Sequence, residues 1–253
     1  MAEVNSWYEC GLLASKYTTN KDSTEYREWY ENGQLSSERI ESGILRKYKA
    51  WYSSGSPKMD YSCVDGYLHS KSRMWYEDGQ LEEECSYDRG VLSGEYTSWW
   101  PRNSQYKLKY TIHNGRLNGR YSSCYEDGQL KEECLYDGGN RRGYYMNWYP
   151  NGQCAAKSLY VNGIRDGEHC EWYICGALRA RCVYVANYVH GQYYEWYNNG
   201  QLHFDSTYVS GILSGDYREW YINGQLAKEC TYIDGQVCSN TKIWTNRGLL
   251  SIH

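Results

Sequence analysis

The sequence predicts an all-β protein: a repeat array of stacked antiparallel β-hairpins forming an elongated, twisted single-layer meander sheet. Three observations predict it. An aromatic pair followed by a polar turn and a glycine begins eleven times in the 253 residues, at Trp7, Trp29, Trp51, Trp75, Trp99, Cys124, Trp148, Trp172, Trp196, Trp220 and Trp244, with spacings of 22 to 25 residues. A period of that size marks an architecture in which each unit covers its apolar face only against the next. Glycine-bearing turns about every ten residues leave no room for three turns of helix. The apolar content is also mostly rings, 30 Tyr and 11 Trp against one Phe, which suit a thin, wet-faced sheet better than a deep oily interior.

The elements of a unit follow in order. The aromatic pair, with a Tyr just ahead of it (Tyr96 before Trp99, Tyr217 before Trp220), has strong strand propensity. An Asn-Gly or Asp-Gly step then signals a hairpin, because glycine accepts a positive φ without strain. The turn glycines include Gly33, Gly79, Gly128, Gly152, Gly200 and Gly224; Asn103 is placed in the one slot without glycine, in a unit with an extra residue whose turn is expected to bulge. A second strand runs through Leu226, Glu229 and Tyr232 or their counterparts, and a second turn carries glycines four apart, as at Gly163 and Gly167 or Gly211 and Gly215. A lone hairpin is marginal in water, so stacking is required. No linker, charge block or composition shift divides the chain, and residues 1–253 read as one continuous array with atypical end units.

The net charge of −4 speaks against a nucleic-acid partner, since no positive excess displaces counterions from phosphates. No apolar run reaches the roughly 20 residues of a membrane span, and the start lacks the pattern of a secretory signal. The expectation is an intracellular, cytoplasmic protein with its 11 cysteines as free thiols.

Candidate chemistry is sparse. Cys85, Cys134, Cys182 and Cys230 share one repeat position, where other units have Ser158 and Ser206; this reads as a tight slot filled by small residues. Two units apart they would stand roughly 19 Å from one another, too far for direct disulfides, which need Cα atoms within about 7 Å. Cys170, Cys175 and Cys182 are the one cluster along the chain where a redox or metal role is conceivable. The histidines (His69, His113, His169, His190, His203 and His253) occupy differing repeat positions, and nothing pairs them with a nucleophile and an orienting acid. Glu38, Asp60, Glu84, Glu133, Asp205 and Glu229 form an acidic row, but Lys109, Lys157 and Arg181 hold the same slot elsewhere, as on a solvated face of mixed charge. No metal site, cofactor or catalytic residue is assigned. The remaining feature is the tyrosine row Tyr87, Tyr136, Tyr160, Tyr184, Tyr208 and Tyr232, twelve residues after each unit start. Either these rings stack to hold the array together, or part of this row, or the Tyr of each Trp-Tyr pair, stays exposed as a binding platform.

The recurring segment, as in Trp220-Tyr221-Ile222-Asn223-Gly224-Gln225-Leu226, resembles the MORN-repeat variant family across residues 7–250. The resemblance implies a non-catalytic scaffold that binds another protein, or itself, through an aromatic-rich sheet face. It also implies two alternatives: a peripheral phospholipid-binding module, which the acidic balance disfavours, and an antitoxin-like protein that neutralises a toxin. Similar arrays in large DNA viruses of protists add a virion-associated setting to these expectations.

Overall fold

The computed structural model describes residues 2–251; His253 lies outside them. The described residues fall into two compact units that divide after Gly128. In both, the regular elements are β-strands paired antiparallel, with no helix among the described residues. The first unit is an open meander of the hairpins Ala2–Trp7 with Leu13–Thr19, Thr24–Trp29 with Leu35–Ser42, Leu45–Trp51 with Pro57–Val64, Tyr67–Trp75 with Leu81–Asp88, and Gly94–Trp99 with Tyr106–His113, followed by Gly119–Cys124. The second begins with Leu130–Asp137 against Asn140–Trp148, which pairs onward with Cys154–Val161. It continues through Ile164–Trp172 with Leu178–Val185, Gly191–Trp196 with Leu202–Val209, and Ile212–Trp220 with Leu226–Ile233, and closes with Lys242–Trp244 against Leu250–Ser251.

Two kinds of turn alternate. After each aromatic pair the chain makes a three-residue turn: Gly33 N–H donates to Tyr30 O at 2.9 Å, and Tyr30 N–H donates to Gln34 O at 2.8 Å. Gly33 has φ 83° while the two residues before it keep negative φ, which is a type I turn closed by a left-handed glycine. The two-residue turn that an Asn-Gly step favours appears at the other end of the hairpin, as at Asn162 (φ 49°) and Gly163 (φ 82°). One placement needs correction. Asn103 does not occupy the glycine slot: its Oδ1 accepts from Gln105 N–H at 3.0 Å, as Asn32 does from Gln34 N–H, also at 3.0 Å. Ser104, at φ 56°, stands where the glycine would be, and the extra residue is absorbed ahead of it at Arg102, φ 70°.

Register shifts recur at fixed repeat positions, one beside most of the aromatic starts (Glu28/Trp29, Glu219/Trp220) and one within several second strands (Ser158/Tyr160, Ser206/Tyr208). These are β-bulges, which bend a strand and raise its local twist. Between them the alternation of side chains is regular and gives each unit a ring face and a charge face. In the second unit Tyr193 lies opposite Ser206, Ser206 opposite Tyr217, and Tyr217 opposite Cys230, all on the ring face, while Tyr194 opposite Asp205 and Arg218 opposite Glu229 are on the charge face.

The core is a thin layer of small side chains under rings. Cys85, Cys134, Cys182, Cys230, Ser158 and Ser206 are all buried. Each leaves room for the ring of the strand beside it to lean across, so the slot excludes a large side chain wherever its neighbour is a ring. In the first unit tyrosines meet directly instead, as at Tyr17–Tyr26 with centroids 4.8 Å apart and Tyr96–Tyr110 at 4.5 Å. Burial pushes the Cys85 and Cys182 thiols up to about 11, away from the low values of reactive cysteines.

Candidate functional site

The tyrosine row lies on the ring face, and none of its six members is exposed: Tyr160 is buried and the others are half-buried. Tyr160, Tyr208 and Tyr232 meet the ring edges of Tyr145, Tyr193 and Tyr217 at 6.3, 6.0 and 5.8 Å, and Tyr184 meets His169 at 5.5 Å. Arg165 Nε donates to Tyr160 Oη at 3.0 Å and Arg141 Nε to Tyr136 Oη at 3.2 Å. Burial, then a hydrogen bond with Cys85, holds the Tyr87 phenol up at about 12. These rings are engaged within the sheet.

The Tyr of each Trp-Tyr pair is engaged as well, in a way that sequence reasoning missed. Its hydroxyl donates to the backbone carbonyl of the next unit's first aromatic residue: Tyr8 to Trp29 at 2.6 Å, Tyr173 to Trp196 at 2.8 Å, Tyr197 to Trp220 and Tyr221 to Trp244 at 2.9 Å. Where Trp100 replaces Tyr, its Nε1–H performs the same task, donating to Cys124 O at 3.0 Å. The turn Asn adds a second link, since Asn151 Nδ2 donates to Ile174 O at 2.8 Å and Asn223 Nδ2 to Asn246 O at 2.9 Å; Asn103 Nδ2 does the same to Glu126 O. Where a Gln follows the glycine it packs beneath the next turn, so a Cβ built on Gly224 would lie 3.0 Å from Gln201 Oε1. Tyr, Asn, Gly and Gln of the motif are therefore parts of a one-directional latch. Its sequence signal is their joint recurrence at residues 30–34, 149–153, 197–201 and 221–225, which backbone turn chemistry alone does not require.

One grouping on the ring face has the composition of a hydrolytic triad. Ser158 Oγ and His169 Nδ1 are 2.7 Å apart, and His169 Nε2 is 3.1 Å from Glu171 Oε1. This overturns the expectation that no histidine meets a nucleophile and an acid: cross-strand pairing of Ser158 with His169, plus the two-residue step to Glu171, makes the contact. Ser158 is only 3% exposed and His169 7%, so no substrate reaches the hydroxyl. The imidazole fills a ring position held by Tyr145 and Tyr193 in the adjoining units, and satisfies the serine in the small slot. The Cys170 and Cys182 side chains point to opposite faces, since Cys170 lies opposite Arg181 while Cys182 lies opposite His169.

The charge face carries its own row. In the first unit Lys16, Arg27, Glu38, Lys49, Asp60, Arg73 and Glu84 lie opposite one another in succession, with Arg27 Nε 2.8 Å from Glu38 and Arg73 Nε 2.6 Å from Glu84. In the second unit the row runs Met146, Lys157, Cys170, Arg181, Tyr194, Asp205, Arg218 and Glu229. Arg218 pairs with Glu229 at 3.1 Å, but among the described residues no ion pair joins Lys157 or Arg181 to a carboxylate. Beside this row, at the two-residue turns, aliphatic side chains are left in solvent: Val161, Ile164, Val185, Val209, Ile212 and Ile233 are each 42 to 58% exposed.

The recurrence is matched by a family model, the MORN repeat variant, over residues 24–39, 68–89, 117–137, 189–210 and 213–234. The chain carries MORN repeat variants. Each matched stretch lies within one repeat period and takes in parts of both hairpin strands or the turn between them. The comparison with curated proteins returned no match. Among solved structures, the MORN array is similar to crystal structures of TarM, including an S. aureus TarM mutant in complex with fondaparinux, alpha-GlcNAc-glycerol and UDP; identity is 12%, coverage 41% of this chain, and the TM-score 0.27 in both cases. It is also similar to the crystal structure of TcdB2-TccC3, at 13% identity over 98% of this chain with a TM-score of 0.17. The MORN chain spans about a fifth of each of these proteins, 20% of TarM and 18% of TcdB2-TccC3. At such TM-scores the likeness carries no argument about function.

Proposed function

We propose that this chain is a non-catalytic MORN-repeat scaffold whose partner is another protein, bound on the charge face of residues 129–253. The observation that carries the reading is the exposed aliphatic series at the two-residue turns, with Val185 47%, Val209 49% and Ile212 51% exposed. Solvent-facing aliphatic side chains repeated on successive hairpins form the kind of contiguous apolar patch that marks interaction surfaces. The tyrosine row and the Trp-Tyr pairs supply rigidity, because their rings and hydroxyls are committed to neighbouring strands. The closed state of the Ser158–His169–Glu171 group supports the non-catalytic side of the reading.

Affinity purification of wild type and of a Val185→Asp/Ile212→Asp variant from the native source tests it. Both positions are exposed, so the variant is expected to melt with wild type and to lose the co-purifying partner. A variant that retains the same partner at the same yield refutes this surface. Sedimentation with anionic liposomes at low salt separates the phospholipid alternative: pelleting of wild type with no protein partner recovered overturns the protein-binding reading.

A further inference from the structure

The charge face of residues 129–253 is interrupted at one place. From Lys157 to Cys170 to Arg181 each residue lies directly opposite the next, so the two cations stand two inter-strand steps apart, about 10 Å. Further along the same row Asp205, Arg218 and Glu229 set acids against a base; here the residue between the cations is a cysteine, and those flanking them are Met146 and Tyr194. Burial pushes the Cys170 thiol up, so it stays protonated near neutral pH and adds no negative charge between them. Lys157 Nζ sits 3.9 Å from the Tyr144 ring centroid, a contact that holds the ammonium in place without neutralising it. Tyr144 and Val183, each 42% exposed, border the pair on the side that continues into the aliphatic series at Val161 and Val185. Glu168, exposed and opposite Val183, is the carboxylate set beside this patch.

We propose that Lys157 and Arg181, framed by Tyr144 and Val183, receive an acidic segment of a protein partner carrying two carboxylates three residues apart. The proposal rests on the protein-binding reading above and names the chemistry of the partner. Spacing and charge both select it. A polyproline II segment returns to the same side every three residues at about 3.1 Å each, so carboxylates at positions i and i+3 match a gap of about 10 Å, whereas in a β-strand they would point to opposite sides. Arg181 offers a planar fork suited to a carboxylate, and Lys157 a point charge. Apolar residues beside the two acids would lie on Tyr144 and Val183. In a protein of net charge −4, this is a place where an acidic partner gains attraction without first breaking an ion pair.

The test uses the full chain and fluorescence anisotropy with a labelled twelve-residue peptide containing Glu-Pro-Leu-Glu, and with the same peptide carrying Gln in place of both Glu. Wild type is expected to bind the acidic peptide and to lose at least about tenfold in affinity for the Gln version. Lys157→Gln/Arg181→Gln should lose at least about tenfold for the acidic peptide, and Glu168→Gln should tighten binding. Arg73→Gln, which removes a cation already paired with Glu84 in the other unit, should bind like wild type. A single-stranded oligonucleotide and phosphatidylserine vesicles of matched charge are run as competitors. No binding of the acidic peptide, equal binding by the double variant, or stronger competition by oligonucleotide or vesicle overturns the proposal. If the double variant retains the native partner while Val185→Asp/Ile212→Asp loses it, this patch is refuted and the protein-binding reading stands. If neither variant affects the partner, both fail.

Discussion

Alanine at Gly215 and at Gly191 separates backbone strain from side-chain collision, because the two glycines occupy the same repeat position, five residues before Trp220 and Trp196. Gly191 has φ 82° and open space around the site of a Cβ. Alanine there adopts the left-handed region at a cost of about 1–2 kcal/mol. Gly215 has φ 127°, outside that well, and a Cβ would lie 2.8 Å from Thr207 Cβ. Thr207 is β-branched and sits in a paired strand, so neither its backbone nor its χ1 yields readily. Strain of about 1–3 kcal/mol then adds to overpacking of about 1–3 kcal/mol. Gly215→Ala should therefore be less stable than Gly191→Ala by about 2 kcal/mol, or roughly 4–8 °C in Tm for a chain of this size. Parallel thermal and urea melts of the two variants read the difference. Equal losses, or a larger loss for Gly191→Ala, would refute the argument that the register shift at Ser206/Tyr208 forces a glycine at 215.

Further outcomes follow from the same structure. Ser206 is 0% exposed and its Oγ has no hydrogen-bond partner among the described residues, so Ser206→Ala should raise stability by about 1 kcal/mol. Ser158→Ala, which deletes the 2.7 Å contact with His169, should lower it by about 1 kcal/mol; chemical denaturation gives both signs, and like signs would contradict the slot assignment. Hydrogen bonds from Lys71 and Arg73 hold the Glu84 carboxyl below its ordinary 4.5. A depressed carboxylate contributes stability above its unfolded pKa and loses it as pH falls through the folded value. Melts recorded downward from pH about 5 should therefore fall more steeply for wild type than for Glu84→Gln, by up to about 1 kcal/mol for a pair this exposed; superimposable pH profiles would contradict it.

The repeat length, both turn positions and the small slot at Cys85, Cys134, Cys182 and Cys230 were legible because each depends on local chemistry or on the two-residue alternation of a strand. The charge-face row was legible for the same reason: Lys157 and Arg181 stand out in the sequence as bases at an acidic repeat position. What the sequence hid depends on register between strands. Pairing of His169 with Ser158 needs the bulge between Ser158 and Tyr160 to be placed correctly, and a one-residue slip would send either side chain to the other face. The slot of Asn103 was misjudged because an insertion can be absorbed on either side of the asparagine, and only the hydrogen bond to Gln105 N–H decides which. The latch was hidden for a different reason. Tyr and Trp recommend themselves equally as interface residues and as hydrogen-bonding core rings, and the distinction lies in whether the polar tip finds a partner inside the protein.

Residue-resolved amide hydrogen exchange on Tyr197→Phe bears most directly on that latch. Removing the hydroxyl breaks the 2.9 Å bond to Trp220 O while keeping the ring. Protection should drop by about 1 kcal/mol at the amides of the turns around Gly200 and Gly224, with the hairpin Asn140–Trp148 with Cys154–Val161 unchanged. Exchange that is unaltered near those turns, or that rises uniformly along the chain, would contradict the claim that each hairpin is fastened to the one that follows it.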